Sequence, residues 1–188
     1  VFLFTVCLHH FLGSDLERIY DELGKRFPEI CFVRCFMDPI MRKSGLTPDQ
    51  KLRLSMYDPL KKGTVTEEGQ RRISILGSDF ALDETSDLKR LLRCNDYQIK
   101  ESPVCESWED YLSLSDCRMM LNCYPSGKAG TEWAAERLGR PFMYLPSCFD
   151  YDEIIGQLEA LSESMELLGV LDYEGEKESC EAALHEAL

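Results

Sequence analysis

One cysteine of this chain lies where an apolar strand is predicted to end and a helix to begin. Cys123 closes the apolar run 119–123, and a short turn leads from it into a helix predicted over 128–138. Open α/β sheets bind ligands and cofactors at the carboxyl ends of their parallel strands. A thiol beside a helix N-terminus is also expected to ionise more readily, because the helix dipole favours the thiolate. Cys123 is therefore the first candidate for redox or metal chemistry.

Neighbouring residues extend this candidate site. Tyr124 follows Cys123 directly, and Ser126 or Thr131 can supply a hydroxyl at the start of the helix. Cys148 comes just after the next predicted strand, so it is expected at the same sheet edge. Two thiols on neighbouring strand ends either share a metal cluster or merely line a pocket. Because reduced cysteine also serves as a small apolar core residue, a structural role for Cys123 stays equally open.

A second candidate thiol, Cys7, ends the first predicted strand, residues 1–7, ahead of a helix with Ser14 as its N-cap. It is either a metal-ligating or redox thiol at the ligand-binding edge or a buried cysteine that closes the strand, and the residues alone favour the second. His9 and His10 follow it. Neighbouring residues of an extended or turn segment point apart, so these imidazoles are not expected to ligate one ion together.

The elements that must position these residues alternate between strand and helix. Strands are predicted at 1–7, 30–36, 73–76, 97–101, 119–123 and 142–145; helices are predicted at 14–27, 48–57, 84–93, 107–112, 128–138 and 152–168, with an acidic helix in the tail at 172–188. This order predicts an α/β fold of Rossmann-like parallel sheet units flanked by helices. A turn-rich hinge divides it into a partial first βαβ unit plus linker, 1–66, and a second Rossmann-like domain with C-terminal helices, 67–188.

The composition of the chain excludes some classes of binding partner and favours one cellular compartment. The 188 residues carry a net charge of −13, which repels nucleic acid. No apolar run reaches the roughly 18 residues of a membrane span, so no membrane contact is expected. The nine cysteines are odd in number, irregularly spaced and without a CxxC pair, which favours a reducing, cytoplasmic compartment over a disulfide framework. Dinucleotide-binding, P-loop, nucleophile-elbow and zinc-finger motifs are absent from the sequence.

Three blocks of the sequence resemble the nitrogenase component 1 family. Residues 4–17 are similar to its Thr-Thr-Cys segment, residues 79–92 to a strand followed by Asp-Leu-x-x-Ile-Lys-Arg-Leu-Leu, and residues 121–144 to a His-Cys-Tyr-Arg-Ser stretch with its helix. The resemblance spans roughly residues 1–165. It implies a nitrogenase component 1-like fold whose Rossmann-like domains hold iron–sulfur clusters between them.

The resemblance also implies roles for individual residues. Cys7 matches a ligand of the electron-transfer cluster at the subunit interface, and Cys123 matches the cysteine that anchors the catalytic iron–sulfur cofactor. Tyr124 and Ser126 belong to the same stretch and are assigned to the cofactor site with it. The implied partners are a like subunit, in a homo- or hetero-oligomer, and an ATP-dependent iron protein that donates electrons.

The chain also departs from the family. Pro125 stands where the catalytic subunit has Arg, which argues against dinitrogen reduction. The family's other two interface-cluster cysteines lie upstream of the strand at which this sequence begins, so we expect a region of a longer nitrogenase-like protein or a short relative. The first prediction is an oxidoreductase component with iron–sulfur-dependent electron transfer. A non-catalytic scaffold that binds a metal cofactor or tetrapyrrole during assembly, and a plain α/β binding domain with incidental thiols, are the alternatives.

Overall fold

The computed structural model describes residues 1–37 and 45–187. The strands are β1 (Phe2–Val6), β2 (Val33–Met37), β3 (Arg72–Ile75), β4 (Gln98–Glu101), β5 (Met119–Asn122) and β6 (Phe142–Tyr144). The helices are α1 (Cys7–Phe11), α2 (Leu16–Arg26), α3 (Pro48–Tyr57), α4 (Asp87–Cys94), α5 (Trp108–Leu112), α6 (Lys128–Leu138), α7 (Tyr151–Met165) and α8 (Tyr173–Ala187).

All strand pairs in the described part of the chain are parallel. β1 pairs with β2, while the larger sheet has the order β4-β3-β5-β6. Parallel neighbours need crossover connections, and helices supply several of them. The architecture is α/β with parallel sheets flanked by helices, as the alternation of strand and helix predicts.

Several element boundaries differ from their predictions, and three of the differences concern residues singled out in the sequence or the start of a helix. The first strand stops at Val6, and Cys7 opens the short helix α1 instead of closing the strand. Asp15, not Ser14, caps α2, because its carboxylate accepts a hydrogen bond from the backbone N–H of Arg18 at 3.1 Å. The helix expected at 84–93 begins only at Asp87, since the residues before it form turns.

The larger sheet buries both of its faces, as parallel sheets do. One face packs under α4 and α7, in a cluster that contains Ile73, Ile75, Leu91, Leu92, Met119, Leu121, Cys123, Leu158 and Leu161. The other face packs under α6 and α5, in a cluster that contains Leu76, Tyr111, Leu114, Met120, Ala134, Ala135 and Leu138. Successive residues of β5 therefore point to opposite layers.

Helix α3 connects the small sheet to the large one. Leu52 packs against Val33 and Cys35 of the small sheet, whereas Tyr57 belongs to the cluster beneath α6. The N-terminus of α3 is held by a capping box, in which Thr47 and Gln50 exchange hydrogen bonds of 3.2 and 2.8 Å. The predicted boundary between residues 66 and 67 stays a prediction, and α3 packs across it.

The ends of β3 and β5 are held together by two glycines. Gly77, at φ 91°, lies directly against Gly127, so that a Cβ on Gly77 would be 2.8 Å from the Gly127 Cα and would overlap the Asn122 amide. Asn122 is fully buried and donates its amide N–H to the Leu76 carbonyl at 2.8 Å. The buried Tyr57 hydroxyl accepts the Gly77 N–H at 2.6 Å. The strand order reverses between β3 and β5. At this position on the sheet edge, the closely packed backbone of the two glycines occupies the space between the strand ends.

Replacing Gly77 with alanine is expected to destabilise the protein by about 2–5 kcal/mol, the sum of a left-handed backbone penalty and overpacking. The measurement is the free energy of unfolding from chemical denaturation. Gly24→Ala is the matched control, because Gly24 lies within α2 with open space around it. The control should gain about 0.5–1 kcal/mol of stability from helix propensity. Equal stability of the two variants would contradict the close approach of Gly77 and Gly127.

Among the helices of the described residues, none combines the length and the apolar content that crossing a bilayer requires.

Candidate functional site

A cavity of about 280 Å³ lies at the carboxyl edge of β5 and β6, between the N-terminal parts of α4 and α7. Its lining is Leu82, Ser86, Asp87, Leu88, Cys123, Leu145, Pro146, Ser147, Cys148, Ile154, Gln157 and Leu158. Most of these side chains are apolar, and two carry sulfur. The two thiols that the sequence predicts at one sheet edge therefore line one cavity.

Strand alternation decides which predicted site residues reach this cavity. Cys123 shares the face of Met119 and Leu121, which α4 and α7 cover. Tyr124 continues in extended backbone, so its side chain points the other way and is 46% exposed. Neither Tyr124 nor Ser126 lines the cavity. The structure thus separates these two residues from the sulfur of Cys123.

The same alternation places Cys123 on the far side of the sheet from helix α6. Burial, together with the charge of Glu101, raises the pKa of the Cys123 thiol to about 11. The expectation of a thiolate favoured by the α6 dipole is therefore wrong, because α6 covers the opposite face and desolvation dominates. Thr131, the other hydroxyl expected at the helix start, is fully buried and donates to the Gly127 carbonyl at 3.0 Å.

The residue before Cys148, Ser147, is hydrogen-bonded to Cys123. The backbone N–H and the hydroxyl of Ser147 both donate to the Cys123 carbonyl, at 3.2 and 3.4 Å. The Cys148 thiol contacts the Asp150 carbonyl at 3.7 Å, and the side-chain amide of Gln157 lies 3.8 Å from its sulfur. Asp150 caps α7 and Gln157 belongs to that helix, so α7 positions the second sulfur.

A buried ion pair fixes the loop after β3, which forms one wall of the cavity at Leu82. Lys89 is only 2% exposed; it pairs with Glu101, which is similarly buried, and with Glu84 at 2.7 Å. Its ammonium also donates to the Leu82 carbonyl at 2.8 Å, while Glu101 accepts the Leu82 N–H at 2.7 Å. Burial lowers the pKa of Lys89, but the bonds to Glu101 and Glu84 more than offset this, so the pKa is raised. Leu82 is thereby fixed at the cavity wall through both of its backbone polar groups.

One polar atom of the wall lacks a protein partner. The Ser86 hydroxyl oxygen is buried without a hydrogen-bond partner in the described part of the chain, although Ser86 occupies the N-cap position of α4. Asp87, the charged residue of the lining, pairs with Arg90 at 2.9 Å. Besides Asp87, the polar side chains of the lining are the hydroxyls of Ser86 and Ser147, the amide of Gln157 and the two thiols.

Cys7 lies elsewhere, on α1 beside the small sheet, and is half-buried. It is not among the residues that line the cavity at Cys123. The Nδ1 atom of the nearby His9 lies 3.0 Å from the Val6 carbonyl oxygen and 3.2 Å from the Val6 nitrogen. The structure does not bring Cys7 and Cys123 to one crevice.

No group of three or more His, Cys, Asp or Glu side chains suited to hold a metal ion occurs within residues 1–37 and 45–187. A four-thiolate iron–sulfur cluster therefore does not fit these residues alone. All nine cysteines lie in the described part of the chain as free thiols.

Sequence reasoning missed the contributions of Gln157, Ser86 and Leu82 to this site. Gln157 falls between Ile154 and Leu158, and all three positions belong to the face of α7 that lines the cavity. Helical spacing puts Gln157 on the same face as Ile154 and Leu158, and this is the signal that could have found it. No local signal marks Leu82 or Ser86, because the long-range contacts of Lys89 and Glu101 shape their loop.

Comparison of the chain with protein-family models and with curated protein sequences gives no match. The resemblance to nitrogenase component 1 therefore rests on its three sequence blocks alone.

Replacing Lys89 with methionine is expected to destabilise the protein by about 3–5 kcal/mol, because Glu101 is left buried without its counter-charge. Denaturant unfolding measures the change. The double variant Lys89→Met/Glu101→Gln should recover part of this loss. Arg18→Met is the control: the Arg18–Glu22 pair is exposed, and its loss should cost less than about 1 kcal/mol. If Lys89→Met loses no more unfolding free energy than Arg18→Met, the proposed role of the Lys89–Glu101 pair is contradicted.

Alkylation of Cys123 by iodoacetamide at pH 8 is expected to be at least tenfold slower than that of the exposed Cys180. With the pKa of Cys123 near 11, only roughly one thiol in a thousand is ionised at this pH, and the thiolate is the reacting form. Mass spectrometry of the resulting peptides measures both rates in one sample. Equal rates would show that burial does not slow the alkylation of the Cys123 thiol.

Proposed function

We propose that this chain is a nitrogenase component 1-like region, and that its cavity at Cys123 holds a metal-containing cofactor used in electron transfer. The observation that carries the proposal is the pair of sulfurs, Cys123 and Cys148, in one largely apolar cavity at the carboxyl edge of parallel strands. Soft sulfur ligands select thiophilic metals and iron–sulfur centres. The block around Cys123 is also the one in which the resemblance has its cofactor-anchoring cysteine.

Different residues of the cavity would make different interactions with such a group. Cys123 would bind it through sulfur, Gln157 would donate a hydrogen bond toward sulfur, and the apolar walls would exclude water. When bound, an iron–sulfur cofactor would supply one-electron redox chemistry. Tyr124 and Ser126 remain candidate cofactor-binding residues in this proposal, because they belong to the stretch that resembles the family. They follow Cys123 in the chain and do not line the cavity.

A like subunit is part of the proposal, and the surface of the small sheet supports it. Phe4, Val6, Leu8, Phe11 and Leu12 are exposed there, with Phe11 at 74% and Leu12 at 70%. Parallel sheets are usually covered on both faces, so apolar side chains on a two-stranded parallel sheet favour a covering partner. Cys7 opens the helix that carries two of these residues, Leu8 and Phe11, and the resemblance implies that it contributes a cluster ligand at such an interface. An ATP-dependent iron protein would be the electron donor.

A scaffold that holds a metal cofactor or tetrapyrrole without turnover is the second candidate. One observation favours it: the residues that line the cavity include no His, Lys, Arg or Tyr, and the one carboxyl among them, Asp87, is paired with Arg90. Proton-coupled reduction needs a group that delivers protons, whereas storage of a cofactor needs only ligands and a dry cavity.

Cys123→Ala is expected to lower the iron and acid-labile sulfide content of the full chain several-fold after anaerobic purification. Cys180→Ala, at an exposed position on α8, is the control and should keep the wild-type content. Thermal melting of both variants checks that the fold survives. Iron-free wild-type protein, or unchanged iron in Cys123→Ala, would refute the proposed role of this cavity.

Reduction of the purified protein by an ATP-dependent iron protein separates the two candidates. An oxidoreductase component accepts electrons from it and passes them on, whereas a scaffold retains its cofactor without turnover.

A further inference from the structure

We propose that helix α8 is an ionic clamp on the cavity at Cys123. It ties together the two helices that form walls of the cavity, and its release opens the cavity to solutes. This clamp is independent of the proposed function, because access to the cavity matters whatever the cavity binds. The ionic strength of the solution then controls that access.

Two adjacent residues of α8 reach two different walls of the cavity. Glu176 pairs with Arg90 of α4, at 2.6 Å between the guanidinium nitrogen and the carboxylate oxygen. Lys177 pairs with Asp152 in the first turn of α7, at 2.8 Å between the ammonium nitrogen and the carboxylate oxygen. Because neighbouring residues of one helix hold both partners, α8 bridges the N-terminal parts of α4 and α7.

The attachment points of α8 lie close to residues that line the cavity. On α7, Asp152 is within one helical turn of Ile154, which belongs to the lining. On α4, the Arg90 guanidinium donates both to Glu176 and to Asp87, the latter at 2.9 Å. One side chain therefore joins α8 to a carboxyl group of the lining, and a change in the docking of α8 acts directly on the cavity wall.

The docking of α8 is weak enough to be reversible. Tyr173, at its start, packs against the apolar cluster beneath α4 and α7, but none of the residues Tyr173–Ala187, all of which the structure describes, is buried. Residues 178–187 are all exposed. Partly exposed ion pairs contribute little individually and are screened by salt. We therefore expect α8 to detach in a fraction of the molecules that grows with ionic strength.

Alkylation of Cys123 by iodoacetamide at pH 8 tests the clamp, because its rate reports how often the cavity opens. In the wild-type protein we expect this rate to rise at least about threefold between about 0.01 M and about 1 M NaCl, which shortens the Debye length from about 30 to about 3 Å. The exposed Cys31 serves as the reference that corrects for effects of salt on the reagent. Cys117 is the internal control: it is fully buried in the other layer, beneath α6, and its rate should not change.

A charge reversal and its compensation test the clamp by substitution. Lys177→Glu replaces attraction to Asp152 by repulsion, so at low salt it should raise the Cys123 rate at least about threefold. Adding Asp152→Lys restores an attractive pair with exchanged charges, and it should return the rate to within about twofold of the wild-type value. Glu22→Gln, which breaks the exposed Arg18–Glu22 pair of α2, is the matched control and should leave the rate unchanged.

Two outcomes would overturn the clamp. One is a Cys123 rate that responds neither to salt nor to Lys177→Glu. The other is an equal rise at Cys117, because the protein would then open as a whole rather than at the cavity. The iron content of Cys123→Ala, which tests the proposed function, does not depend on these rates, so the clamp and the proposed function fail independently.

Discussion

The close packing of Gly77 on Gly127 is the constraint on which the geometry of the candidate site depends. These glycines follow β3 and β5, and their contact leaves no space for a side chain between the two strand ends. Asn122 and Tyr57 complete the contact with buried hydrogen bonds to Leu76 and Gly77. Because the end of β5 is fixed in this way, the position of Cys123 relative to the sheet is fixed as well. The usual ligand-binding point of an open α/β sheet, between the two strands where the order reverses, is filled by backbone.

The available space lies one strand further along the edge. It opens between the ends of β5 and β6, where α4 and α7 cover the face of the sheet that Cys123 shares. The Lys89–Glu101 pair supports one wall of this cavity, and α7 carries the residues of the other. A buried ion pair is costly to desolvate, so its presence beneath a ligand-sized cavity is consistent with a role in fixing the loop at Leu82 rather than in adding net stability. The lining is mostly apolar and includes two thiols.

Much of the fold follows from the sequence. The helix 128–138 and the helix that begins at Pro48 have the predicted bounds, and each predicted strand core has its counterpart in the structure. Their apolar periodicity is local, and capping residues such as Thr47 and Ser107 mark their starts. Boundaries were less predictable where two capping residues adjoin, as at Ser14 and Asp15, because only the tertiary path of the chain selects between them.

The sequence by itself determined the α/β class, the place of Cys123 at a strand end and the presence of Cys148 at the same edge, because strand order and polarity place both residues there. The tertiary structure decided which groups face one another. Alternation along β5 turned Cys123 away from Tyr124, Ser126 and the N-terminus of α6, and burial then raised the pKa that the helix dipole was expected to lower. It also kept Cys7 on the small sheet, outside the cavity. Side-chain direction and desolvation depend on which layer covers each face, and that is set by packing between segments far apart in the sequence.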